Sequence, residues 1–320
     1  MNEVHNTLVV EGVAKASWSE LIRPLWNVSS PAWFVAAAWL ATWWALNRNA
    51  ERGAAASGAT AERHAGRRAA CALAAAAAFV LSFVSPLGAL ASGALFSAHM
   101  VQHLSMLLVV PLLALAALPR ERAGGRFARS PWRGIGAILG IAPLGWALGL
   151  GAMWVWHEPT ACSAATRSAA LGAVRDATFL LAGTAFWWPI AGPVARDRLE
   201  PPLALAYLFS ACLGCTVLGI LITFTPLAVG PVFADNASGA LAELPLVARL
   251  RGLGFTPRAD QQLGGLLMWV PPCVLYAAMS MRLMARWYGE HRRSPEGAAG
   301  LPAAGASAMV VATTATETTP

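Results

Sequence analysis

His99 and His103 stand four residues apart in Ser97-Ala98-His99-Met100-Val101-Gln102-His103, at the head of an apolar run that continues to Leu118. One helical turn stacks positions i and i+4, so both imidazoles point into whatever that helix packs against. Ligating groups are costly to keep inside a membrane segment, and this spacing reads as half of a metal site. The plain alternative is two neutral histidines hydrogen-bonded to neighbouring helices. Further donors sit at the ends of other apolar runs: His157, Asp176, and Asp260 followed by Gln261 and Gln262. Three imidazoles with a carboxylate or thioether suit copper or zinc, and a soft methionine favours Cu(I). Met100 and Met106 flank the first two histidines, and Met153 lies one turn before His157. Methionines also serve as gap-fillers between helices. The candidate metal set is therefore His99, His103, His157, Asp176, Asp260 and Met100. Within it Asp176, next to Arg175, is expected to pair with a cation or orient an imidazole rather than coordinate directly.

Membrane helices must position these residues. The chain has 320 residues, 57% hydrophobic and 12% charged, about half the charge expected of a soluble domain. Seven apolar runs approach the ~17–25 residues that cross a bilayer: Pro31–Asn47, Ala69–Ser85, Ser97–Leu118, Gly134–Trp156, Ala173–Ile190, Pro202–Phe224 and Gln262–Tyr288. The expected fold is an all-α polytopic membrane protein with seven transmembrane helices. Its parts are an N-terminal arm 1–30, a membrane domain 31–288 and a disordered cytoplasmic tail 289–320. No secretory signal is expected, because Glu3, Glu11, Lys15, Glu20 and Arg23 interrupt the first 30 residues. The net charge of +7 comes from arginines clustered between apolar runs, so the membrane explains it and nucleic acid is not expected as a partner.

The linkers Arg48–Arg68 and Pro119–Arg133 each hold five arginines and should face the cytoplasm. The linkers on the other side carry no net charge. Seven spans then place the N-terminus outside and the C-terminus inside, and the candidate ligands share the outer end. Five cysteines, mostly within apolar runs, argue against a disulfide framework and for packing roles. Cys212-Leu213-Gly214-Cys215 could be a redox or metal pair, but small residues at this spacing usually permit close packing. Gly264-Gly265 and Pro271-Pro272 suggest a close approach and a kink.

Several segments, in order, resemble one family: the His99–His103 motif, the Trp156-His157-Glu158-Pro159 corner, the run Ala185-Phe186-Trp187-Trp188-Pro189-Ile190-Ala191-Gly192-Pro193, and Asp260-Gln261-Gln262-Leu263-Gly264-Gly265-Leu266-Leu267-Met268-Trp269-Val270-Pro271. The chain is similar to the CtaG family of caa3-type cytochrome c oxidase assembly factors, from about Ala69 to Tyr288. The resemblance implies a non-enzymatic, multi-pass protein of the bacterial inner membrane that supports copper delivery to the oxidase. Its implied partners are a cytochrome c oxidase subunit and a periplasmic copper chaperone, beside membrane lipid. It carries metal handling onto His99, His103 and His157, and a polar role onto Asp260, Gln261 and Gln262. Where relatives commonly have Glu-His before Phe-Leu-Leu-Ala-Gly, this chain has Arg175-Asp176 before Phe179-Leu180-Leu181-Ala182-Gly183.

Two other classes compete. A haem-binding redox protein would use His99 with His157 as axial ligands. A copper transporter ranks lower, since no span carries paired charges in its middle. A retinal protein is excluded because the only lysine, Lys15, precedes every span.

Overall fold

A computed structural model describes residues 16–56, 65–119, 133–225 and 244–291, and every regular element among them is a helix. In chain order these are α1 (Trp18–Ile22), α2 (Ala32–Ala56), α3 (Ala65–Val84) and α4 (Pro86–Ala91). A longer rod follows, made of α5 (Phe96–Leu104), a π-helical turn over Ser105–Val109, and α6 (Val110–Ala117). Then come α7 (Arg133–Leu139), α8 (Ala142–Trp156), α9 (Pro159–Arg167), α10 (Ala169–Ala191), α11 (Pro201–Phe224), α12 (Pro245–Gly252) and α13 (Pro257–His291). Expectations for the N-terminal arm, the arginine-rich linkers and the tail fall wholly or partly on residues 1–15, 57–64, 120–132 and 292–320. Those lie outside the described residues.

Among the described residues, five rods are long and apolar enough to cross a membrane: Ala65–Val84, Phe96–Ala117, Ala169–Ala191, Pro201–Phe224 and Pro257–Gly289. Two of the seven expected spans come out differently. The run Gly134–Trp156 is broken between α7 and α8, at Gly140-Ile141 just before Pro143. The remaining helix rises about 22 Å against a hydrocarbon core of about 30 Å. Residues from Ala32 on do form a long helix, yet Trp33, Trp39, Trp43, Trp44 and the polar Asn47-Arg48-Asn49 dilute its hydropathy. The outer surface of the bundle is apolar: Phe34, Phe209, Leu181 and Phe224 are all at least 66% exposed, as suits a lipid-facing wall.

Close approaches lock the rods. Pro111 has no N–H to offer the Leu107 carbonyl four residues back, and a π turn opens the backbone there. α10 sets Gly183 against that carbonyl: a Cβ at Gly183 would lie 2.1 Å from the Leu107 oxygen and 2.9 Å from the Pro111 ring. Gly219 of α11 and Gly265 of α13 face each other likewise, each leaving only 2.9 Å between an added Cβ and the other's carbonyl oxygen. The double glycine thus marks a contact, as its composition suggests, while Pro271 and Pro272 remain inside the single helix α13.

One expectation is corrected. Cys212 of α11 and Cys273 of α13 form a disulfide, with their Cα atoms 5.3 Å apart. Neither the odd cysteine count nor the apolar setting could reveal that these two helices run so close together. Cys71, Cys162 and Cys215 are free.

Candidate metal site

α5 begins without a cap of its own, because Leu95 has no side chain that can accept from the first amides. Asp260, in the first turn of α13, supplies the cap. Its Oδ2 accepts from Phe96 N at 2.6 Å, and its Oδ1 accepts from Ser97 N at 2.9 Å and from the Ser97 hydroxyl at 2.5 Å. A carboxylate also complements the positive end of the helix dipole. This contact fixes the depth and rotation of the helix that carries the histidines.

His99 and His103 then lie one turn apart, 1% and 2% exposed, with ring centres 4.0 Å apart. The His99 Nδ1–H donates to the Ala91 carbonyl at 2.9 Å, which leaves Nε2 with the lone pair. His157 forms the C-cap of α8, and its Nδ1–H donates back to the Met153 carbonyl at 2.5 Å. Its Nε2 lies 3.3 Å from Met100 Sδ. The His103 and His157 rings meet edge-on, 5.4 Å between centres. Phe179 of α10 covers His103 at 4.4 Å and is itself fully buried.

His103 stands out among the described residues because both of its ring nitrogens are buried without a hydrogen-bond partner; in proteins generally the large majority of buried polar atoms are satisfied. Two imidazoles sharing one ion at about 2.0–2.1 Å per nitrogen have ring centres about 5 Å apart, close to the spacing of His103 and His157. Among the described residues, no group of three or more His, Cys, Asp or Glu side chains is arranged to hold a metal ion. The adjoining donors are instead the imidazoles of His103 and His157 and the thioether of Met100, with His99 beside them.

The two carboxylates are engaged elsewhere, Asp176 as its arginine neighbour suggested. Asp260 spends both oxygens on the α5 cap. Asp176 pairs with Arg175, its Oδ1 accepting from Nε at 3.0 Å and lying 2.9 Å from Nη2. Gln261 Nε2 donates to the Ile222 and Thr225 carbonyls, both at 2.8 Å, and closes the end of α11. At the corner after His157, Glu158 accepts from Ala161 N at 2.8 Å and caps α9 ahead of Pro159; that amide holds its carboxyl below the usual range. Sequence reasoning missed Phe179 and the two carbonyls that set the histidine tautomers. The bare start of α5 was a readable sign that a cap must come from elsewhere.

No curated protein and no solved structure matches the chain. The family model of the cytochrome c oxidase caa3 assembly factor (Caa3_CtaG) matches residues 37–290, a stretch that contains every site residue above. With that match over most of its length, and five rods long and apolar enough to cross a membrane, the chain belongs to the caa3 cytochrome c oxidase assembly factor family.

Proposed function

We propose that this chain helps to build the oxidase by holding copper as cargo at His103, His157 and Met100, with His99 alongside, and passing it to an oxidase subunit. A periplasmic copper chaperone is the proposed donor. The observation that carries this reading is His103, whose two buried nitrogens find no protein partner. In an apolar interior such atoms are costly until something ligates them. Neutral imidazoles and a thioether are donors suited to Cu(I), and a monovalent ion places less charge in a low-dielectric site than a divalent one. The proposed setting is the bacterial inner membrane, with the histidine end facing outward and the N-terminus outside. The proposed role is non-catalytic.

A haem spanning His99 and His157 is the weaker reading, because the His103 ring lies against both histidine positions and Phe179 fills the remaining face. The test is copper analysis of the purified full-length protein in detergent. His103→Ala should lose about one equivalent of Cu(I) per chain relative to wild type, and oxidase matured beside that variant should be copper-deficient. Unchanged copper in both would end the proposal, and a Soret band in the purified protein would replace it with the haem reading.

A further inference from the structure

Below the histidines lies a second group of side chains, two of them soft sulfur donors, that the site does not use. Cys215 of α11 is fully buried and free, and its Sγ lies 3.7 Å from the Met153 Sδ of α8. The hydroxyl of Tyr276, from α13, stands 4.0 Å from the same sulfur. Three helices thus bring two sulfurs and one oxygen together, beside a small void of ≈ 10 Å³ that Met153, Cys215 and Tyr276 help to line. That volume is at the lower limit for a water molecule.

We propose that Met153, Cys215 and Tyr276 form a second, deeper station for monovalent copper. With metal–sulfur bonds of about 2.3 Å, donors at the corners of a tetrahedron lie about 3.8 Å apart, and donors in a trigonal plane about 4.0 Å apart. The two sulfurs here are 3.7 Å apart, and the Tyr276 hydroxyl stands 4.0 Å from the same thiol at the edge of the void, so the Cys215–Met153 pair already has the spacing that one ion requires. Thiolate and thioether donors select Cu(I) over harder ions. On binding, Cu(I) takes the place of the thiol proton, which is released; one positive charge enters as one leaves, and no net charge is added to the core. Met153 couples the two stations, because its carbonyl holds the His157 ring while its thioether faces Cys215. The identity of the ion rests on the copper reading above, whereas the donor geometry stands without it.

The experiment is titration of the purified full-length protein with Cu(I) buffered by bathocuproine disulfonate, alongside X-ray absorption. Wild type should take up two equivalents, with sulfur at about 2.3 Å in the scattering shell. Cys215→Ala and Met153→Leu should each retain only the histidine-bound ion and lose most of the sulfur scattering; the leucine keeps the volume and the backbone carbonyl, so it guards against a folding artefact. His103→Ala should keep one sulfur-bound ion. If instead one equivalent binds, disappears in His103→Ala and persists in Cys215→Ala, the deeper station is refuted and the histidine site stands. One equivalent that disappears in Cys215→Ala but persists in His103→Ala establishes the deeper station and refutes the histidine site. Two equivalents retained in both sulfur variants refute the station.

Discussion

Asp260→Ala is expected to destabilise the detergent-solubilised protein by about 2–6 kcal/mol, the cost of leaving two buried amides without acceptors at about 1–3 kcal/mol each. The carboxylate is 5% exposed and accepts three hydrogen bonds at the start of α5, and α5 has no other side chain to take its place there. Asp260→Asn should fall between the variant and wild type, since its amide oxygen still serves one donor while its NH2 opposes another. Thermal unfolding midpoints measure the effect. At temperatures where the alanine variant still folds, copper affinity should also drop, because the cap sets where His99 and His103 reach. A midpoint indistinguishable from wild type would show that the contact does not anchor the helix.

Gly183→Ala is expected to be nearly as disruptive, at about 1–3 kcal/mol for overpacking and toward the upper end. The atom that its Cβ would meet, at 2.1 Å, is the backbone oxygen of Leu107 rather than the movable end of a side chain. α10 must therefore shift away from the π turn. Phe179 lies four residues earlier on the same face of α10 and covers His103, so the shift should weaken metal binding along with stability. Gly151→Ala is the control. An added Cβ there meets nothing within 4 Å, and removing a helical glycine should leave stability unchanged or raise it by about 0.5–1 kcal/mol. Equal unfolding midpoints for the two variants would show that the close approach of α10 to the π turn does not constrain the bundle.

Much of the site was legible before any coordinates. The four-residue spacing of His99 and His103 puts both rings on one face of any helix, and intervals of apolar sequence place His157 and Asp260 at the same end of the bundle. The same reading expected seven spans, and among the described residues five helices are long and apolar enough to be candidates. Averaging hydrophobicity along a run does not register a break such as Gly140-Ile141 before Pro143. It also counted Asp260 among the metal donors, because a carboxylate in an apolar setting advertises a need for partners without naming them; Asp176 pairs with Arg175, as its neighbour suggested.

What the sequence determined by itself is the set of local, periodic facts: an all-helical membrane chain, two stacked imidazoles, and the close approach at Gly264-Gly265. Tertiary structure alone decided which donors adjoin. Asp260 reaches Phe96 and Ser97 across more than 160 positions, Met153 meets Cys215 across 62, and Cys212 finds Cys273 rather than Cys215. Such pairings depend on the relative rotation and depth of whole rods. Those are set by many small contacts summed over the bundle, and no window of sequence contains them.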